Sequence, residues 1–204
     1  MRDRGVPYRV GNSISGGDLR VGPRPGMTGL VTLTLEPGVT LRFKKGGALR
    51  IHPGAGTSPA LGALVAAGTA EKPIVFTSAE AAPAAGDWLG IWFGFVPDPS
   101  DRIDHARVQY AGGLSSTGSA ACVGPTGPEM DAAIRIFGPP SSQLVTNTAI
   151  LDSARHGIDR SWAADDRIDF LPGNTFQRVA ACLQTYPRGL TMTCPQPADV
   201  PCPR

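Results

Sequence analysis

The chain alternates apolar and polar residues over short stretches that end at glycine or proline. In LTLEPGVTLRFKKGGALRI, residues 33–51, apolar side chains recur at every second position until Pro-Gly or Gly-Gly interrupts them. A period of two places successive side chains on opposite faces of a β-strand, and the Gly and Pro pairs favour turns. The stretch therefore predicts short strands joined by tight corners.

The same pattern returns further along the chain, and no helical period accompanies it. GALVAAGTAEKPIVFTS, GDWLGIWFG, IDHARVQYAGG and AAIRIFGPP all repeat the alternation. The chain has no Asn-Gly or Asp-Gly pair to close a two-residue hairpin, which argues against antiparallel pairing. The residues predicted to face inward are Leu41, Phe43, Ile74, Phe76, Ile91, Phe93, Val108, Ile134, Ile136 and Ile158.

A repeat accompanies the strand pattern. NTAILDSARHGI begins at residue 147 and NTFQRVAACL at residue 174, so the shared Asn-Thr pair recurs after 174 − 147 = 27 residues. A spacing in this range is typical of solenoids, whose repeats bury their apolar faces only against neighbouring repeats. The sequence therefore predicts an all-β, single-stranded parallel β-helix of about six or seven coils.

Four stretches carry a family resemblance. LEPGVTLRF, GTAEKPIVFTS, GDWLGIWF and IDHARVQYAGG resemble, in that order, the bacterial right-handed parallel β-helix repeat proteins, which share the fold of pectate lyases. The resemblance is clear over about 30–113, weaker over 144–185, and covers about two thirds of the chain. It implies a right-handed coil in a bacterial protein that is secreted or held at the cell envelope, in contact with polysaccharide or the cell surface.

The predicted organisation has two parts. Residues 1–185 form the β-helix, with an inserted loop at about 112–131, and residues 186–204 form a C-terminal cap rich in Cys and Pro. The segment before Leu30 has no amphipathic capping helix. Because an uncovered first coil exposes strand edges, we expect that N-terminal coils are missing or that the chain self-associates there.

Composition and charge limit the kinds of partner that the chain is expected to bind. The chain has 26 Gly and 20 Pro, yet 41% of its residues are hydrophobic, which is enough for a packed core. A net charge of +2 gives no reason to expect a nucleic-acid partner. No apolar run reaches the ~20 residues of a membrane span, and the start MRDRGVPYRVGNSISGG lacks the apolar segment of a signal peptide.

The four cysteines, Cys122, Cys182, Cys194 and Cys202, show no C-x-x-C spacing typical of zinc or redox sites. They allow three disulfide pairings, among which the sequence does not choose, and they could equally be free buried thiols. In the Pro-rich CPQPADVPC the pair Cys194–Cys202 is the favoured candidate, because it would staple the cap. A disulfide there would suit an oxidising compartment.

The catalytic motifs that the resemblance implies, those of lyases and hydrolases with this fold, are not found in the sequence. Such lyases use Ca²⁺ on outward carboxylates with an Arg or Lys base, and such hydrolases use paired aspartates, Gly-His-Gly and Arg-Ile-Lys in a fixed order. Here Arg155 precedes His156-Gly157, Asp165-Asp166 follows that histidine, and no Arg-Ile-Lys appears. We expect His156 to sit at a coil corner and to hydrogen-bond a loop carbonyl. No catalytic residue is assigned.

Two acidic stretches are the candidate metal sites. PDPSDRID holds Asp98, Asp101 and Asp104, and AADDRID holds a second aspartate triad that ends at Asp169. Their oxygens are the ligands that Ca²⁺ prefers, but the spacing of a dedicated calcium loop is lacking. Both stretches are predicted to be solvated turn loops. No metal site is assigned and no cofactor is expected, with Ca²⁺ the one ion that these loops would suit.

The candidate binding residues follow from alternation. If Leu49, Ile91 and Ile134 are equivalent inward positions of one sheet, their neighbours point outward together. Arginines bind carboxylates through a planar fork, and an exposed indole offers an apolar platform for a sugar ring. Alternatively, arginine stacks on the indole in a cation–π contact worth about 0.5–1 kcal/mol and merely covers the face. The predicted groove for acidic polysaccharide comprises Arg50, Trp92 and Arg135, with Arg42 and Arg107 on the neighbouring sheet.

Three functions are left open. The first is a non-catalytic secreted or cell-envelope module that binds acidic polysaccharide or acts as a surface scaffold. The second is a diverged polysaccharide lyase or glycoside hydrolase, and the third is a spacer segment of a larger surface protein or fibre. The missing catalytic motifs favour the first and the third.

Overall fold

The computed structural model describes residues 1–11, 17–24, 26–53, 58–115, 131–163, 167–188 and 202–203. Within these ranges the chain forms strands and no helix. The fifteen strands are β1 (Tyr8–Val10), β2 (Leu19–Val21), β3 (Val31–Leu35), β4 (Thr40–Phe43), β5 (Ala48–Ile51), β6 (Gly62–Ala67), β7 (Ile74–Ser78), β8 (Gly90–Phe93), β9 (Arg102–Asp104), β10 (Ala106–Gln109), β11 (Ala132–Ile136), β12 (Val145–Thr146), β13 (Ala149–Ser153), β14 (His156–Arg160) and β15 (Thr175–Val179).

The strands form three sheets in which every pairing between strands is parallel. Sheet A has the order β1-β4-β7-β10-β13-β15, sheet B the order β14-β11-β8-β5-β2, and sheet C the order β12-β9-β6-β3. The chain visits sheets A, B and C in turn, so each of the first four circuits adds one strand to each sheet, and β13, β14 and β15 then extend sheets A, B and A. This arrangement is compatible with a parallel β-helix and confirms the prediction of an all-β protein with parallel pairing.

The interior contains the residues that alternation assigned to it. All ten predicted inward side chains have 0% exposure. On sheet A, Leu41, Phe76 and Val108 stand in register on successive strands. The Phe43 ring stacks on the Trp88 ring with centroids 4.2 Å apart. Side chains of equivalent position thus stack along the three sheets and form one continuous core.

The first circuit extends the fold toward the N-terminus. The short apolar segments YRV and LRV are strands β1 and β2, and they pair with β4 and β5. Three-residue strands show too little alternation to be recognised in the sequence. The sequence resemblance, which begins at about residue 30, therefore missed them.

Sharp corners separate the sheets, and non-glycine residues with positive φ occupy several of them. His105 alone joins β9 to β10 with a φ of 49°, and Asn147 takes the same corner on the next circuit with a φ of 46°. Tyr110, Asp152 and Arg178 repeat a positive φ at the end of sheet A. This left-handed region is sparsely occupied by non-glycine residues, so the recurrence marks a corner that each circuit reproduces.

Cys202 is bonded to Cys182, so the predicted pair Cys194–Cys202 is wrong. The two Cα atoms are 5.5 Å apart and 20 residues separate them in the sequence. The amide of Leu183 donates to the carbonyl of Pro203 over 2.6 Å, which places residues 202–203 beside the segment that follows β15 and hydrogen-bonds to β14. Cys194, with most of the predicted cap and of the predicted inserted loop, lies outside the described residues.

Candidate functional site

The outer face of sheet B carries the row that the sequence predicted. Arg50, Trp92 and Arg135 are aligned in register on β5, β8 and β11, and Asp159 continues the row on β14. The guanidinium carbons of Arg50 and Arg135 lie 3.8 and 4.7 Å from the centroid of the Trp92 ring. Parallel pairing therefore brings the three predicted residues together.

The row is buried, contrary to the prediction of an open platform. Trp92 is 4% exposed, and Arg135 and Asp159 are fully buried. Since both arginines lie against the indole, Trp92 offers no free face to a sugar ring. Burial also lowers the pKa of Arg135, although the nearby Asp159 and Asp131 act to raise it. This face therefore matches the alternative that the sequence left open, in which arginine stacks on the indole in a cation–π contact and covers the sheet.

Carboxylates neutralise the arginines of this stack. Arg50 Nε lies 2.6 Å from Asp18 Oδ2. Arg135 Nε lies 3.4 Å from Asp159 Oδ2, and its Nη1 lies 3.8 Å from Asp131 Oδ1. Because charges taken out of water need such partners, the stack is a closed polar layer. The sequence did not identify Asp18 and Asp131 as partners of these arginines, because neither aspartate belongs to an alternating strand.

The other two predicted residues, Arg42 and Arg107, are exposed on the outer face of sheet A. Arg42 is in register with Thr77 on β7, whereas Arg107 is in register with Val75 of the same strand. They therefore stand in different rows, two residues apart along the strand direction. Sheet A, unlike sheet B, presents its predicted arginines to solvent.

A further arginine joins Arg42. Arg9 on β1 is in register with Arg42 on β4 and is also exposed. Among the described residues neither arginine forms an ion pair with a carboxylate. Sequence reasoning missed Arg9, because its three-residue strand was not recognised.

Arg9 and Arg42 line a groove of about 590 Å³ together with Lys44, Thr77 and Glu80, and we call it the basic groove. Lys44 Nζ lies 2.7 Å from Glu80 Oε1. The hydrogen bond from Lys44 lowers the pKa of Glu80, and that from the Lys45 amide acts in the same direction. Three cations face one carboxylate here, so the groove keeps an excess of two positive charges.

A second concavity of about 370 Å³ lies where sheet C passes into sheet A. We call it the threonine cleft, after Thr69, Thr148 and Thr175, which line it on different circuits together with His105, Arg107 and Asn147. It lies at the start of the sheet A strands, while the basic groove lies toward their ends. The two concavities share the outer face of sheet A.

Asp104 anchors the corner beside the threonine cleft. Its Oδ1 accepts hydrogen bonds from Thr146 Oγ1 at 2.8 Å and Asn147 Nδ2 at 2.9 Å. Burial acts to raise the pKa of Asp104, but these two bonds and the nearby His105 outweigh it and leave the pKa lowered. His105 Nδ1 lies 3.2 Å from the same oxygen. Asp104 is therefore already engaged.

The aspartates of PDPSDRID do not converge on a metal. Asp101 is 5% exposed, and its two oxygens accept hydrogen bonds from the amides of Leu64 at 2.6 Å and Asp98 at 2.8 Å. Burial raises the pKa of Asp101 to about 7, although these amides act to lower it. Asp101 is thus a buried structural acceptor, which corrects the prediction of a solvated loop residue. The Asp104 carboxylate instead accepts hydrogen bonds from Thr146 and Asn147 on the next circuit.

The second acidic stretch and His156 also have structural contacts. Asp169 Oδ1 accepts from Gln184 Nε2 at 2.7 Å, while residues 165–166 lie outside the described ranges. His156 is buried, and its Nδ1 accepts from the Cys182 amide at 3.1 Å. Sequence reasoning expected a loop carbonyl as its partner. No group of three His, Cys, Asp or Glu able to hold a metal ion occurs in the described part of the chain.

The chain was compared with known proteins at three levels. No protein-family model, no curated protein and no solved structure matches it. The described ranges contain no helix of the length and hydropathy needed to span a membrane. The basic groove, the threonine cleft and the stack are the features of the described residues that bear on function.

Proposed function

We propose that this chain is a non-catalytic bacterial module, secreted or held at the cell envelope, that binds acidic polysaccharide through the basic groove. The observation that carries the proposal is the pair Arg9 and Arg42. Both are exposed and in register on neighbouring strands. Like charges directly opposite each other on paired strands are destabilising, and a bound anion between them would remove that cost.

The groove chemistry fits a polymer with repeated carboxylates. Each guanidinium presents a planar fork that matches a carboxylate, and neighbouring strands are about 4.8 Å apart. Two successive acidic groups of one extended chain could therefore be held by Arg9 and Arg42. Lys44, fixed by Glu80 at 2.7 Å, adds a third cation at the same end of the sheet.

The fold supports the same proposal. Connections between parallel strands of one sheet are right-handed in nearly all proteins, so we propose that the three sheets coil as a right-handed single-stranded β-helix. The Cys182–Cys202 disulfide is typical of proteins in an oxidising compartment. A coil with short corners would fix the backbone positions of the arginines of sheet A.

Binding to polygalacturonate tests the proposal, with dextran as the neutral control. We expect the parent protein to bind polygalacturonate, to lose affinity as salt rises, and to ignore dextran. Because a hydrogen bond to a charged group contributes about 1.5–3 kcal/mol, the double variant Arg9→Gln/Arg42→Gln should bind at least about tenfold more weakly. Measurement is by isothermal titration calorimetry.

The matched control is Arg102→Gln, which removes an exposed arginine from sheet C. It should bind as the parent does. A parent that ignores polygalacturonate, or a double variant that binds as the parent, would show that the groove is not the site. Unsaturated sugar ends appearing in the same samples would instead establish a lyase.

A further inference from the structure

The threonine cleft is a concavity built by small residues. Ala70, Ala106, Ala149 and Gly173 come from four successive circuits and all line it. Ala149 holds an outward position of sheet A, in register with Arg107, so a larger side chain there would occupy this space, whereas Ala106 belongs to the core. Its volume of about 370 Å³ falls in the lower part of the ~300–1,000 Å³ range of small-molecule sites. The cleft is therefore of a size for one small molecule.

Arg107 supplies an available cation. It is exposed, and its neighbours in register, Val75 and Ala149, carry no charge. Asp104, the acid of the adjoining corner, is occupied by Thr146 and Asn147. Within the described ranges Arg107 forms no ion pair. Its guanidinium keeps the planar set of donors that matches a carboxylate.

The polar groups around Arg107 have both donors and acceptors to spare. Thr69 Oγ1 accepts from the Lys72 amide, which leaves its hydroxyl hydrogen unused. Thr148 is only 1% exposed and its Oγ1 donates to the Thr146 carbonyl, so its hydroxyl is not offered to a ligand. Asn147 Nδ2 donates one hydrogen bond to Asp104, which leaves its side-chain carbonyl oxygen unused.

This inventory selects the chemistry of a ligand. Sugar hydroxyls both donate and accept, so they can satisfy the exposed Thr69 and Asn147 at once. Sulfate only accepts and would leave the Asn147 acceptor unpaired. A neutral sugar would leave the Arg107 fork without its carboxylate. The cleft thus suits a molecule with one carboxylate and several hydroxyls.

We infer that the threonine cleft is a second binding site, separate from the basic groove, for a small hydroxylated carboxylate such as a single sugar acid. With strands about 4.8 Å apart and residues about 3.3 Å apart along a strand, the Arg107 and Arg42 backbones are separated by roughly 12 Å. Arg107 thus lies two strands from Arg42. The threonine cleft does not depend on the basic groove. If the basic groove fails to bind polysaccharide, the inference about the cleft still stands.

The test is titration of the isotope-labelled protein with galacturonate, galactose and sulfate, followed by amide chemical shifts in NMR. Galacturonate should move the amides of Arg107, Thr148 and Thr175 in a saturable way. Galactose and sulfate should bind at least tenfold more weakly. No saturable shift with galacturonate would overturn the inference, and so would equal binding of sulfate, which would mark a general anion site.

Variants separate this site from the basic groove. Arg107→Gln removes the fork, and Ala149→Val fills the cleft without removing a polar partner, so both should lose galacturonate binding by about tenfold or more. Arg42→Gln should keep it. If Ala149→Val does not fold, Arg107→Gln still decides, since that side chain is exposed on the sheet. An Arg107→Gln protein that binds galacturonate as the parent does would refute the site.

Discussion

Asp101 has two backbone amides as hydrogen-bond donors and almost no contact with water. Burial disfavours its carboxylate more than the amides of Leu64 and Asp98 favour it, so its pKa rises from 3.8 to about 7. The folded pKa therefore lies above the unfolded one. The stabilising contribution of the protonated group is complete below pH 3.8, and it is lost as the pH rises through about 7.

This linkage predicts that the protein becomes less stable between pH 5 and pH 8. The contribution of Asp101 to the free energy of unfolding should fall by roughly 1 kcal/mol per pH unit until the pH passes its folded pKa. Asp101→Asn should lower the stability at pH 5, because an amide cannot accept both hydrogen bonds, and should remove this slope. Urea unfolding at several pH values measures both effects.

The control for this prediction is Glu71→Gln, which alters an exposed carboxylate and should keep the slope of the parent. An Asp101→Asn protein with the pH dependence of the parent would mean that another group is responsible.

At the scale of the strand, the stack on sheet B contrasts a buried arginine with a half-buried one. Arg135 is fully buried between Asp159 and Asp131, whereas the side chain of Arg50 is 21% exposed beside Asp18. Removing one partner of a buried ion pair costs about 3–5 kcal/mol, because a charge loses its counterion away from water. A more exposed pair contributes about 1 kcal/mol or less.

We therefore predict that Arg135→Ala lowers the free energy of unfolding by about 3–5 kcal/mol, and that Arg50→Ala lowers it by about 1–2 kcal/mol when its cation–π contact is included. Urea unfolding at constant pH compares the two variants. Equal losses would contradict the assignment of Arg135 as the buried centre of the stack.

At the scale of the whole molecule, the Cys182–Cys202 bond ties residues 202–203 to the last circuit. The bond closes a loop with a sequence separation of 20 residues. Such a crosslink restricts the unfolded chain, and a loop of this length is worth about 3 kcal/mol. The double variant Cys182→Ser/Cys202→Ser should therefore lose about 3 kcal/mol in urea unfolding.

Peptide mapping of the unreduced protein checks the pairing directly. A linked pair of peptides that contains Cys182 and Cys202 is expected. Recovery of Cys202 linked to Cys194 would restore the sequence-based pairing and remove the basis for the stability prediction.

The sequence by itself determined the strands with clear alternation, their inward faces and the alignment of β5, β8 and β11 in sheet B. Alternation with a period of two is a local property of the extended chain. When repeats stack, residues at equivalent positions of successive repeats lie next to each other on the same face of a sheet. For this reason Phe43, Phe76 and Ile134 could be assigned to the core, and Arg50, Trp92 and Arg135 to one row. The strands β1 and β2 were missed, since three residues carry too little of the period.

Tertiary structure decided what each outward position meets. Trp92 is covered by two arginines, Asp101 receives an amide from Leu64 on the preceding circuit, and Cys202 lies beside Cys182. Arg9 stands next to Arg42, 33 residues later in the chain, only because β1 pairs with β4. Local alternation fixes the side of the strand on which a residue lies, whereas its exposure, charge partners and pKa depend on residues from other circuits.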